Sequence, residues 1–178
     1  AMEETDALAK DLATRVGEKE AEILNGHLML LSDPMLTGEI ENTIAGENAC
    51  SEYAIESVCN MYADMFASMG DELMQQRATD MRDIKTRMQK ILLGVSSVDI
   101  ASLPAGSIIV AKDLTPSMTA GINPDNVCGI VTELGGKTSH SAILARALEI
   151  PAVVAVEGFL NNVKDGDTVV LDGSEGIV

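Results

Sequence analysis

The stretch Gly135-Gly136-Lys137-Thr138-Ser139-His140-Ser141-Ala142-Ile143-Leu144-Ala145-Arg146 places a diglycine bend, three hydroxyls and an imidazole just ahead of a helical pattern. Glycines let a backbone turn tightly and come close to a bulky anion, and a helix start offers N–H groups together with the positive end of its dipole. A neutral ring nitrogen of His140 is able to attack phosphorus there. Backbone N–H groups at Gly135 and Gly136, with the hydroxyls of Thr138, Ser139 and Ser141, would then hold the resulting dianion. Phosphoryl transfer needs in-line positioning and charge stabilisation more than extra chemical groups. The same residues also fit a plain polar helix cap. A serine-hydrolase reading is weaker, because sequence neighbours do not face one another as nucleophile and base, and no G-x-S-x-G elbow is present. The other histidine, His27, has no glycine-hydroxyl loop around it and is read as structural or interfacial.

The elements that must position this loop fall into two halves. Helical patterns run over Glu3–Val16, Glu18–Leu31, Met35–Ala45, Ala49–Met69 and Asp71–Leu93, with breaks expected at Gly17 and Gly26, Ser32-Asp33-Pro34, Gly46, Gly70 and Gly94. Ala54, Ile55, Val58, Met61, Tyr62, Met65 and Met69 keep the three-four spacing of one buried stripe, as do Leu73, Ala78, Met81, Ile84, Met88 and Ile91 less strictly. Both are assigned to core. From about Val95–Leu103 onward the period changes. Short β-branched runs at Ile108–Ala111, Val127–Val131, Val153–Val156 and Thr168–Leu171 alternate with a helix at Ser141–Leu148 and a shorter one at Ser117–Gly121, an α/β pattern. The expected division is a helical part at 1–97 and an α/β part at 98–178. The chain opens inside a helical pattern and stops as a strand begins, so it is expected to be truncated at both ends, with Ala1-Met2 left out of fold reasoning.

Composition bounds the partners. The net charge is −16, against a nucleic-acid surface, which needs phosphate-neutralising Lys and Arg. Residues 1–72 hold 16 acidic and 3 basic side chains (−13), whereas residues 73–90 hold 5 basic and 2 acidic (+3). An acidic face suits a partner with a basic docking surface, although on charge alone a solvated helical face is the preferred reading. Cys50, Cys59 and Cys128 are odd in number and lack C-x-x-C spacing, so neither a disulfide framework nor a metal site is expected, and a reduced cytoplasmic setting is the simpler reading. The longest apolar run, near Ile23–Leu31, is too short and too interrupted for a membrane span.

The loop through His140, continued by Ala142-Ile143, Ala145-Arg146 and Ile150-Pro151-Ala152-Val153-Val154, resembles the phosphohistidine signature of phosphoenolpyruvate-utilising enzymes. That family includes Enzyme I of the bacterial sugar phosphotransferase system, pyruvate phosphate dikinase and phosphoenolpyruvate synthase, which share a swivelling α/β domain. In the helical half, Gly26-His27-Leu28-Met29-Leu30-Leu31 with Asp33, and Arg77-Ala78-x-Asp80-Met81-Arg82-Asp83-Ile84, resemble Enzyme I. The resemblance implies an α/β phosphohistidine domain plus an all-α subdomain that docks the phosphocarrier HPr. His140 is then the acceptor, and Thr119, just after Thr115-Pro116-Ser117, is the threonine that hydrogen-bonds it at rest. Leu30, Asp33, Arg77, Met81 and Arg82 become candidates for HPr contact. Lys137 stands where an arginine is common, so a bidentate role for that arginine does not carry over to this chain by the resemblance, and Arg146 is read as structural. The resemblance also implies a missing C-terminal barrel that binds phosphoenolpyruvate and Mg2+, no cofactor on this piece, and a homodimer for the full-length protein. Two alternatives are a swivelling domain of a dikinase or synthase, which would not recognise HPr, and a non-catalytic interaction module.

Overall fold

The structure, a computed structural model, describes residues 1–95 and 99–178, and the boundary expected between 97 and 98 lies outside the described residues. The chain divides into two compact units, Ala1–Val98 and Asp99–Val178.

The first unit is built from α1 (Met2–Arg15), α2 (Glu18–Leu31), α3 (Pro34–Glu47), α4 (Ser51–Ser68) and α5 (Glu72–Leu93). Their ends follow local chemistry. Asp33 accepts from the Met35 N–H at 2.8 Å with Pro34 opening α3, and Asp71 accepts from the Leu73 N–H at 3.1 Å to start α5. Gly94, in the left-handed region, closes α5. Gly46 does not stop α3 as expected: the helix runs to Glu47, and Asn48 takes the left-handed turn. Gly26 likewise leaves α2 unbroken.

The core joins Leu36 and Ile40 to Ala54, Ile55, Val58, Cys59 and Ala63 of α4, and to Ala78 and Met81 of α5. The expected α4 stripe is therefore corrected at its far end. Met61, Met65 and Met69 are 53%, 43% and 55% exposed, and Leu73 and Ile91 on α5 are exposed too. Spacing records which face of a helix is apolar, not how far along its length a neighbour covers it. Cys59 is buried in this core, and desolvation, partly offset by Lys85, pushes its thiol up to about 11. Among the described residues no helix is long and apolar enough to cross a membrane.

The second unit winds β1 (Ser107–Ala111), α6 (Pro116–Thr119), β2 (Val127–Thr132), α7 (His140–Ala147) and β3 (Ala152–Val153). The strands form a parallel sheet in the order β1-β2-β3, with Ile109 opposite Ile130 and Val131 opposite Val153. Ile100, Leu114, Ile122, Val127, Ile130, Ala145 and Ile150 form the core, so the central strand is buried and points its C-terminal end at the His140 loop.

Two strand expectations need correction. The run Val153–Val156 pairs only through Val153, because Ala155 adopts φ +62°, which no extended ladder accommodates. Thr168–Leu171 forms no strand. Val170 is 82% exposed there, and the nearest pairing is a single antiparallel bridge just beyond the segment, Asp172 with Ile177. β-branched residues suit a strand only where a neighbour offers a ladder.

Candidate functional site

β2 ends at Thr132, which the sequence did not single out. Its buried hydroxyl donates to the Leu134 carbonyl at 2.7 Å, and its own carbonyl accepts from Val156, so the strand end grips the start of the loop. Gly135 then adopts φ +100°, and a Cβ there would stand 3.2 Å from Ser139 Oγ and 3.3 Å from Ser139 Cβ. Glycine is favoured on both counts, by the positive φ and because the loop folds back onto Ser139, which would have to shift to admit a Cβ. Gly136 is different. A Cβ there would meet nothing within 4 Å, so its carbonyl, which accepts from the Ser139 N–H at 3.0 Å, is its visible contribution to the bend.

Ser139 caps α7. Its Oγ accepts from the Ala142 N–H at 3.3 Å, its carbonyl accepts from Ile143, and its hydroxyl lies 3.0 Å from that of Ser141. His140 is the first helical residue and half-buried, flanked by the exposed Lys137 and Thr138. The first N–H groups of a helix lack partners within it, and here one of them is taken by the serine oxygen that an anion would replace. The expectation that the Ser141 hydroxyl contacts a phosphate directly is corrected: Ser141 is fully buried beneath Ser139 and supports that hydroxyl instead.

Thr119, on α6, is buried, and α6 packs against α7. Its hydroxyl donates to the Pro116 carbonyl at 3.0 Å. With its proton committed, that oxygen offers lone pairs to a further neighbour, so toward an imidazole it acts as an acceptor from a ring N–H. Arg146 is exposed in the last turn of α7, where a cation faces the free carbonyls.

In the helical unit, Arg82 is exposed and 3.8 Å from Asp64, Arg77 and Asp33 are partly exposed, and Leu30 is half-buried against the core. Met81 is not on the surface. At 1% exposure it fills the core, and its place as a contact candidate is withdrawn. His27 is fully buried beside two carboxylates, Asp80 and Asp83, to which the sequence alone assigns no role. Their signal was present: Arg77, Asp80 and Asp83 stand three residues apart on one helix face. Among the described residues no group of three or more His, Cys, Asp or Glu is arranged to hold a metal ion.

Comparison with known proteins covers both units. Residues 103–176 match the family described as PEP-utilising enzyme, mobile domain, and residues 1–77 match PEP-utilising enzyme, N-terminal. The chain is 45% identical over 170 residues to a phosphoenolpyruvate-protein phosphotransferase of Listeria monocytogenes, covering 96% of this chain and 29% of the relative. It is 40% identical over 176 residues to the protein of that name from Bacillus subtilis, covering 99% and 31%. The chain thus spans about three-tenths of the length of these relatives. A solution structure of Enzyme I superposes with a TM-score of 0.81 at 42% identity, covering 99% of this chain and 71% of that one. The N-terminal domain of a nitrogen Enzyme 1 superposes at 0.60 with 28% identity, covering 86% and 62%.

Proposed function

The chain belongs to the phosphoenolpyruvate-utilising enzymes, as the N-terminal part of an Enzyme I, and from that premise we propose that His140 carries a phosphoryl group between phosphoenolpyruvate and HPr in sugar uptake. The observation that supports this most is the placement of His140 as first residue of α7, behind a tight loop that turns at Gly135 with a positive φ. A ring nitrogen attacks phosphorus in line, the bond from phosphorus to the donor breaks, and the donor keeps the electron pair. The dianion then sits at the helix mouth, where it displaces Ser139 Oγ from the Ala142 N–H and is held by that amide and the hydroxyls of Ser139 and Thr138. Before transfer, Thr119 Oγ1 accepts from one ring N–H of His140 and so fixes which nitrogen is the nucleophile.

The partner surface is proposed on α2 to α5, with Leu30, Asp33, Arg77 and Arg82 as contacts. Met29, Met35, Met61, Met65, Met69 and Leu73 are left exposed on the same helices, and a phosphocarrier bound there would cover flexible apolar side chains inside a charged rim. The strongly acidic first 72 residues favour a basic carrier face. Phosphoenolpyruvate and magnesium are assigned to the barrel that the resemblance implies, and the cytoplasm is the setting where such a carrier would be met.

A direct comparison of donors tests this reading. Incubated with labelled phospho-HPr, the chain is expected to take up acid-labile, alkali-stable label. Incubated with labelled phosphoenolpyruvate and Mg2+ alone, it is expected to take up none. Absence of label from phospho-HPr overturns the proposal.

A further inference from the structure

Away from the His140 loop, the helical unit buries a cluster of charge-bearing groups between α2 and α5. His27 is fully buried, and neither ring nitrogen nor Asp80 Oδ1 has a hydrogen-bond partner of good geometry. Nε2 lies 3.3 Å from Asp80 Oδ1 and Nδ1 lies 4.0 Å from Asp83 Oδ2. The other oxygen of Asp80 faces outward, 3.9 Å from Arg77 Nη1. Burial of such groups costs desolvation, and apolar side chains would join the two helices at least as well. The line of groups from His27 through Asp80 to Arg77 therefore calls for a reason other than stability.

Gly26 supplies an independent one. It sits inside α2 with ordinary helical φ, where alanine is the better helix former, so the backbone does not ask for glycine. What asks for it is Arg77. A Cβ at position 26 would stand 2.8 Å from Arg77 Nη1, and the carbon of the guanidinium lies 3.8 Å from the same point. The arginine tip rests where a Cβ at position 26 would stand, so a side chain there would displace it.

We propose that Gly26, Asp80 and His27 are positioning residues that hold the Arg77 guanidinium at one fixed orientation, so that its outward N–H groups meet acceptor oxygens on the phosphocarrier already aligned. The inference rests on the docking role given to Arg77 above and deepens it. A guanidinium loses affinity when it must be ordered at the moment of contact, and a preformed seat removes that cost. Asp80 places a carboxylate oxygen 3.9 Å from Arg77 Nη1, His27 Nε2 stands 3.3 Å from the other oxygen of that carboxylate, and the missing side chain at Gly26 leaves room for the guanidinium tip.

HPr titrations and exchange kinetics on the 178-residue chain test this, using Arg77→Ala, Gly26→Ala, Asp80→Asn and the two double variants that include Arg77→Ala. Gly26→Ala displaces only the end of a flexible side chain, and Asp80→Asn keeps the side-chain shape, so circular dichroism should stay unchanged. Each single variant is expected to weaken HPr binding roughly tenfold and to raise KM with kcat unchanged. In the Arg77→Ala background, Gly26→Ala and Asp80→Asn should cost nothing further, because the group they position is gone. If Arg77→Ala weakens binding while Gly26→Ala and Asp80→Asn bind as wild type, or if their losses add in full to that of Arg77→Ala, positioning is overturned and docking stands. An Arg77→Ala chain that binds HPr normally removes the docking role of Arg77 and this inference together.

Discussion

A His140→Ala chain is expected to take up no acid-labile phosphate from phospho-HPr, its signal falling to that of a mixture without the chain. The loss is total rather than partial, because no neighbouring group can replace the imidazole. Ser139 is occupied as the cap of α7, Ser141 is fully buried, and a phosphoserine would in any case survive acid. The substitution should leave the fold intact. Alanine is a good residue for the first turn of a helix, and the Ser139 cap and the Thr132 anchor do not involve the histidine side chain. Titration with HPr should therefore give an unchanged Kd beside the abolished transfer. That pairing separates loss of the acceptor from loss of structure, and retained transfer would point to a module whose chemistry lies elsewhere.

Gly135→Ala is expected to lower the rate of exchange by about 10²-fold without changing HPr affinity, the loss typical of a reacting group displaced by about an ångström. Two effects combine there. An alanine at φ +100° is strained by about 1–3 kcal/mol, and its Cβ would press on Ser139 Oγ and Cβ. Relief of either one moves Ser139, and with it the first turn of α7 that aims His140. Gly136→Ala is the informative neighbour. Its Cβ meets nothing in the chain, so any rate lost in that variant reports the approach of the phosphate rather than the shape of the loop. Single-turnover measurement with phospho-HPr distinguishes the two. A Gly135→Ala chain as fast as wild type would mean that the loop does not need its present bend.

What the sequence made legible was local. α2 and α5 lie close to where capping residues and apolar spacing put them, because Asp71 and Gly94 act on the turn they adjoin. The His140 loop was visible for the same reason: diglycine, hydroxyls and helix start are contiguous. Relations between elements were not visible. Met81 and Met65 look alike in the sequence, yet one fills the core and the other is exposed, since coverage depends on where a second helix lies. Ser141 was expected to reach an anion because its hydroxyl is near His140 in sequence, but the turn of α7 points it inward. The His27 cluster depends on the register between α2 and α5, and the missing side chain at Gly26 becomes intelligible only with the Arg77 guanidinium above it. At the end of the chain, Thr168–Leu171 has strand composition without a ladder to join, which no single segment records.

The central claim is tested most directly by locating the phosphate. The chain should be charged with phospho-HPr, digested at alkaline pH to preserve phosphorus–nitrogen bonds, and its peptides mapped by mass spectrometry. One phosphoryl group per chain on the imidazole of His140 is the predicted result. Phosphate on His27, on a serine or threonine of the loop, or on no residue at all would contradict the account.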